Sequence, residues 1–202
     1  MGTSGFIGRL LALTVPLALA ATAATAAPSF IPNGERTTQP IGHYELCQRI
    51  TEECSQKTPR QAPIELTRAL WGKLIDVNNA VNTEVAPRTD LEMWGVEEYW
   101  SYPGAEGDCE DYVLEKRRRL IQAGVPAGNL LITVVRQPNG DGHAVLTVRT
   151  SHGDFVLDNL EPRVLAWHAT EYQFLKRQSE RNSGQWVSVD DSRNLPVGSV
   201  SQ

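Results

Sequence analysis

The residues best suited to chemistry lie in one short run, Gly107-Asp108-Cys109-Glu110-Asp111-Tyr112. Asp108 is placed to cap a helix running from about Asp108 to Ala123, which puts Cys109 at its first position. Unsatisfied backbone N–H groups and the positive end of the helix dipole meet there, and both favour the thiolate of a cysteine. A nucleophilic cysteine needs a base, and the base needs an orienting acceptor. His143 opens the run HAVLTV and Asp158 closes FVLDNL, so Cys109, His143 and Asp158 follow in order on helix, strand and strand. His43, His152 and His168 are rival bases, and Asp154 and Asn159 are rival orienters. Any one of these residues alone is more often structural. The ordered set points to nucleophilic attack on a carbonyl.

The same run holds a conflict. Asp108, Glu110 and Asp111 place three carboxylates beside the thiol, where they favour its neutral form and oppose the dipole. Capping and first-turn acids are the ordinary explanation. A bound divalent cation would cancel the charge instead, and all-oxygen donors suit calcium better than zinc, although the spacing is not that of an EF-hand loop.

These groups need elements to hold them. A first helix is expected around Gly42–Glu53. A second, longer one is expected from Ile64 to Val85, where Leu66, Ala69, Leu70, Leu74, Ile75, Val77 and Val81 recur at helical spacing. Asn78, Asn79 and Asn82 lie inside it, where asparagine is a poor helix former. Residues 86–107 read as a loop rich in Trp and Tyr, which either lines a cleft or plugs the edge of a small core. Gly124 and Pro126 stop the cysteine helix. Beyond it the period becomes two: strands are expected at Leu130–Arg136, His143–Thr150, Asp154–Leu160, Tyr172–Arg177 and Trp186–Val189, with a loose polar tail from Asp190. Helices followed by antiparallel strands make an α+β protein. Pairing the strands around His152-Gly153 sets Thr147 opposite Asp158 and leaves His143 roughly 13 Å along from it, although on the same face. Direct contact then requires a turn centred near Thr150-Ser151, or a bulge.

The chain has 202 residues, 41% hydrophobic and 21% charged, enough for one domain with a real core. Nineteen basic against 24 acidic residues argue against a nucleic-acid partner. Arg9, an apolar run from Leu10 to Ala20 and Ala24-Thr25-Ala26 have the parts of a signal peptide, so residues 1–26 are expected to be removed on export to the periplasm, leaving 27–202 as a single domain. Export makes a disulfide the favoured state of Cys47 and Cys54, seven apart, over two reduced thiols or a metal site. That leaves Cys109 unpaired.

The runs WGKLIDVNNAVNTEVAPRTDLEMWGVEEYW, GDCEDYVLEKRRRLIQAGVP, GHAVLTV and DFVLDNL together resemble the bacterial transglutaminase-like cysteine proteinases over about residues 41–190. The resemblance implies a papain/transglutaminase-like fold with N-terminal helices packed on an antiparallel sheet, and Cys109, His143 and Asp158 as nucleophile, base and orienter. It implies a protein substrate, such as the cell-surface adhesins cut by periplasmic members, and a membrane-bound regulatory receptor as partner. It implies calcium on Asp108, Glu110 and Asp111. It gives the Val77-Asn78 and Val81-Asn82 repeats a family context, without a role. The chain is short, like the compact members, and is expected to be a monomer. A transglutaminase-type acyl transferase, or a non-catalytic calcium-binding module of the same fold, would carry the same residues.

Overall fold

The computed structural model describes residues 1–2, 29–59 and 61–193. The expected signal peptide, beyond its first two residues, and the tail from residue 194 lie outside the described residues. Among the described residues no helix is long and apolar enough to cross a membrane.

Five helices precede most of the sheet. The expected first helix is two: α1, Ile41–Arg49, and α2, Thr51–Ser55, broken at Ile50. The break has a covalent reason, because Cys47 and Cys54 are disulfide-bonded with Cα atoms 5.5 Å apart. In a straight helix seven residues rise about 10.5 Å. The long helix α3, Arg68–Glu84, starts later than its periodicity predicts, where the Thr67 side chain accepts from Leu70 N–H. Leu70, Leu74, Asn78 and Val81 form its buried stripe. Pro87 disfavours helix at the residue before it, and the chain is already extended by Val85.

Residues 86–107 are not the continuous loop their composition implies. Ala86–Pro87 (β2) pairs in parallel with Glu106–Gly107 (β3), enclosing α4, Asp90–Trp94. A capping box starts α4: Thr89 accepts from Glu92 N–H while the Glu92 carboxylate accepts from Thr89 N–H. Of the aromatics, Trp100 is buried in the core and Trp94 is exposed. The cysteine helix α5 spans Cys109–Gln122 and ends before Gly124, whose φ of +88° is open to glycine.

A seven-stranded antiparallel sheet completes the fold, ordered β1-β9-β8-β4-β5-β6-β7. Its strands are β1 Asn33–Thr37, β4 Leu130–Arg136, β5 Gly142–Thr150, β6 Gly153–Leu157, β7 Leu165–Ala166, β8 Gln173–Ser179 and β9 Asn182–Val189. The expectation of an α+β protein with N-terminal helices and an antiparallel sheet holds. Ala144, Leu146 and Val148 of β5 pack with Val113, Leu114 and Leu120 of α5 and with Leu70 and Leu74 of α3. Val145 faces the other way, into a second cluster with Val135, Val156, Trp167 and Phe174.

The β5–β6 register differs from both sequence alternatives. Thr150 pairs with Gly153 and Leu146 with Leu157, so the turn is Ser151-His152. Gly153 holds φ +107°, and a Cβ there would lie 2.3 Å from Ser29 O, so a distant segment pins the turn. Continued one step, this register sets Asp158 opposite Val145, two residues from His143. Such diagonal neighbours lie about 7–8 Å apart, not 13 Å.

Residues 191–193 are also less loose than the composition implies. Asp191 accepts from Phe174 N–H, and Arg193 donates to the carbonyls of Trp167, Thr170 and Tyr172.

Candidate active site

Asp108 occupies the N-cap position of α5 in extended conformation, but its side chain makes no capping bond. Its Oδ2 instead accepts from the backbone N–H of Asp90, 3.1 Å away on α4. Cys109 begins the helix half-buried, and its sulfur donates to Glu110 Oε2 at 3.2 Å. Burial pushes the Cys109 thiol well above its ordinary value and the Glu110 carboxylate adds to the effect, while the Ala144 backbone N–H at the start of β5 opposes it. Burial and, after it, Glu110 and Asp108 thus favour the neutral thiol.

The three acids beside Cys109 in the sequence do not act as one group. Asp90, Asp108 and Glu110 bring carboxylate oxygens within 4.8 Å of one another. Burial, then Asp108, pushes Glu110 up to about 10, and burial raises Asp108 too. Asp111 turns away and accepts from Ser101 N–H at 2.8 Å, and burial raises it to about 7. Of the expected set Asp108, Glu110 and Asp111, the first two cluster with Asp90, and Asp111 lies outside that cluster. Asp90 was missed, although Thr89-Asp90-Leu91-Glu92 carries a helix-start signal that could have separated it from a loop.

His143 and Asp158 meet although neither register read from the sequence is the one formed, with Nε2 2.8 Å from Oδ1. The tautomer that donates to Asp158 leaves Nδ1 as the free basic nitrogen. Asp158 is also held by Leu160 N–H on Oδ1 and by the Tyr172 hydroxyl, 2.5 Å from Oδ2, while the Tyr172 ring lies 5.5 Å from the imidazole. Burial pushes the Asp158 carboxyl up, but the bonds from His143, Tyr172 and Leu160 prevail and hold it below the usual range. The α3 asparagines gain a purpose: Asn82 Nδ2 donates to Asp158 O at 2.8 Å and Asn78 Nδ2 to Pro162 O at 3.1 Å, clamping the loop after β6. A cleft of about 460 Å³ opens on the Asp158 side, lined by Gln137, Val156, Leu160 and Tyr172 among others.

The rival residues are engaged elsewhere. His43 packs between Trp100 and Trp186 beside the disulfide, and burial, then Arg117, lowers it to about 4. His152 bonds Ser151 in the β5–β6 turn, and His168 lies in a short turn of 3₁₀ helix after β7. Asp154 pairs with Arg177 and accepts from Ile31 N–H.

Cys109 begins α5, and the His143–Asp158 bond lies between β5 and the residue just past the end of β6. Ala144, next to His143, donates its N–H to the cysteine sulfur, and among the described residues no hydrogen bond joins Cys109 to His143 itself. Residues 33–194 match the model of the bacterial transglutaminase-like cysteine proteinases. Among solved structures the chain is similar to Legionella pneumophila LapG, at 27% identity and a TM-score of 0.50, over 58% of this chain and 67% of that one. The EGTA-treated form of that protein matches at 26% identity and a TM-score of 0.50, over 63% and 75% of the two chains. No curated protein sequence matches. The family match spans the helix, the strands and both acid-bearing segments, so the chain belongs to the bacterial transglutaminase-like cysteine proteinases and is a cysteine protease.

Proposed function

We propose that the protein is an exported, calcium-dependent cysteine endopeptidase whose nucleophile is Cys109, base His143 and orienter Asp158. The observation that carries the reading is the buried His143–Asp158 bond at the end of the strand whose Ala144 N–H reaches the Cys109 sulfur. Nδ1 of His143 takes the thiol proton as the sulfur attacks an amide carbonyl. The C–N bond then breaks, His143 returns the proton to the leaving amine, and a thioester remains. Water, deprotonated by the same imidazole, hydrolyses it and frees the thiol. Asp158 keeps the imidazole in the tautomer this sequence needs.

Calcium fits the donors present. Asp90 Oδ1 and Asp108 Oδ1 are buried without hydrogen-bond partners, and with Glu110 they form an all-oxygen set. Asp90, Asp108 and Glu110 would hold the ion, which supplies positive charge beside Cys109 where the carboxylates otherwise favour the neutral thiol.

The substrate is a periplasmic or surface protein, with adhesins the first candidates and a membrane-bound receptor the candidate regulator. The test compares exported proteins from cells carrying wild type or Cys109→Ala. A new N-terminus present only with wild type supports the reading. Isopeptide-linked products would make the protein an acyl transferase, and no difference at all would make it a binding module.

A further inference from the structure

Behind Asp158 lies a buried lysine that the hydrolytic steps do not use. Helices α3 and α5 run antiparallel: Tyr112 hydroxyl donates to Val85 O at one end of their seam and Lys73 Nζ to Ala123 O at the other. Lys116, one turn beyond Tyr112, therefore falls level with the Asn78–Asn82 turn of α3. Its side chain is 0% exposed and its Nζ has no hydrogen-bond partner, the nearest aromatic ring being that of Tyr112, 5.8 Å to the centroid. Asn78 and Asn82 direct their amide nitrogens to Pro162 O and Asp158 O, and both Oδ1 atoms are left buried and unpartnered. A triple donor and two orphaned acceptors thus share the seam that supports the Asp158 loop.

We infer that Lys116 is a positioning residue of the His143–Asp158 pair, its ammonium balancing the Asp158 charge from behind, and that it is kept at a cost in stability. Packing alone does not explain a lysine here, because burying an ammonium without a partner is costly and an apolar side chain of similar length would fill the same space. Burial lowers Lys116 to about 7, and the Asp158 charge opposes it by favouring the ammonium. The groups facing the pair are His143 from β5 and Tyr172 ahead of β8, with Glu161 and Glu171 beyond Tyr172. From behind come Tyr112 and Lys116 of α5, while α3 adds only neutral Asn78 and Asn82. Among these groups Lys116 is the basic one on that side of Asp158.

The inference rests on the peptidase reading for the pairing of His143 with Asp158, and its test is read without substrate. In the full chain with calcium in excess, the His143 ring is titrated by NMR in wild type, Lys116→Met, Lys116→Gln and Lys116→Arg. Removing a positive charge raises neighbouring midpoints, so the Met and Gln variants are expected to titrate roughly 0.5–1 pH unit higher, and Arg close to wild type. Thermal melts give the second readout. Lys116→Met is expected to melt at or above wild type. Its advantage should be greatest below pH 7 and shrink toward pH 10, because there the unfolded wild type binds the proton that the folded lysine has released. An unmoved His143 titration in both neutral variants overturns the proposal. So does a melt well below wild type, or failure to fold, in both, which would make Lys116 a packing element. The peptidase reading fails separately, through cleavage that survives Cys109→Ala.

Discussion

Two regions of this molecule hold cysteine and histidine, and they behave as opposites. In α1–α2, His43 touches both sulfurs of the Cys47–Cys54 bridge, receives Gln178 Nε2 at 3.2 Å and lies edge-on to Trp100 and Trp186. At α5–β5, His143 has a carboxylate partner and Cys109 is a half-buried free thiol. His43 has no carboxylate to orient it, and its sulfurs are bonded to each other, so neither a nucleophile nor a thiolate ligand is available there. The residue types are shared. What separates chemistry from packing is the third group and the state of the sulfur.

The largest effect is expected from crossing the two clusters. Cys109→Ala should lower cleavage by at least about 10³-fold with the melting temperature nearly unchanged. His43→Ala should do the reverse, costing about 2–4 kcal/mol through a cavity and the one donor, from Trp186 or Gln178, that the neutral ring accepts, while rate per folded molecule stays near wild type. Denaturant melts alongside active-site titration check both, and loss of per-molecule activity in His43→Ala would erase the contrast.

Calcium should sharpen the difference next. Chelation is expected to remove most activity and added calcium to restore it, with full activity in excess chelator sinking the metal assignment. The free protein also carries a signature of pH. Glu110 is raised to about 10 in the fold, so the folded state binds the extra proton and stability falls as pH rises from about 5 toward 10. Asp111, raised to about 7, acts in the same direction at lower pH. Melts without calcium should therefore be lower at pH 8 than at pH 5.5, and calcium should narrow the gap. Equal melts at the two pH values would remove the electrostatic account.

The bridge gives a smaller effect confined to the other cluster. Replacing Cys47 and Cys54 by serine should cost about 2–3 kcal/mol for so short a loop, with activity intact well below the melt. A matched fall in rate at 25 °C would show that the bridge supports the site directly.

How far the sequence disclosed this contrast depends on the range of the interactions. Strand β4 was legible to the residue because period-two apolar residues alternate between two buried faces. Helix α5 was legible from its cap position and Gly124. The two-residue strands β2, β3 and β7 leave no period to read, and α4 was hidden in an aromatic-rich stretch despite its capping box. His143 and Asp158 shared a face on parity alone, but their contact depended on where the turn closed. That was decided by Ser29 against Gly153, more than a hundred residues away in the chain. Asp90 and Tyr172 were missed for the same reason. Each acts through a partner on another element, Asp90 with Asp108 and Tyr172 with Asp158.

Tyr172 carries the finest prediction, because it touches both halves of the pair that His43 lacks. Its hydroxyl holds Asp158 Oδ2 and its ring lies against the imidazole. Tyr172→Phe removes only the hydroxyl. A hydrogen bond to a carboxylate is worth about 1.5–3 kcal/mol, but Asp158 and Tyr172 both line the cleft, where water can take the donor's place. The expected loss is therefore nearer about 1 kcal/mol, a three- to tenfold fall in kcat/KM. The Asp158 carboxyl, deprived of one bond that lowers it, should titrate higher, and the acid limb of the rate profile should move up with it. Tyr172→Ala removes the ring as well and should cost more. If Tyr172→Phe keeps the wild-type rate and acid limb while Tyr172→Ala does not, the ring packing positions His143 and the hydroxyl bond is incidental.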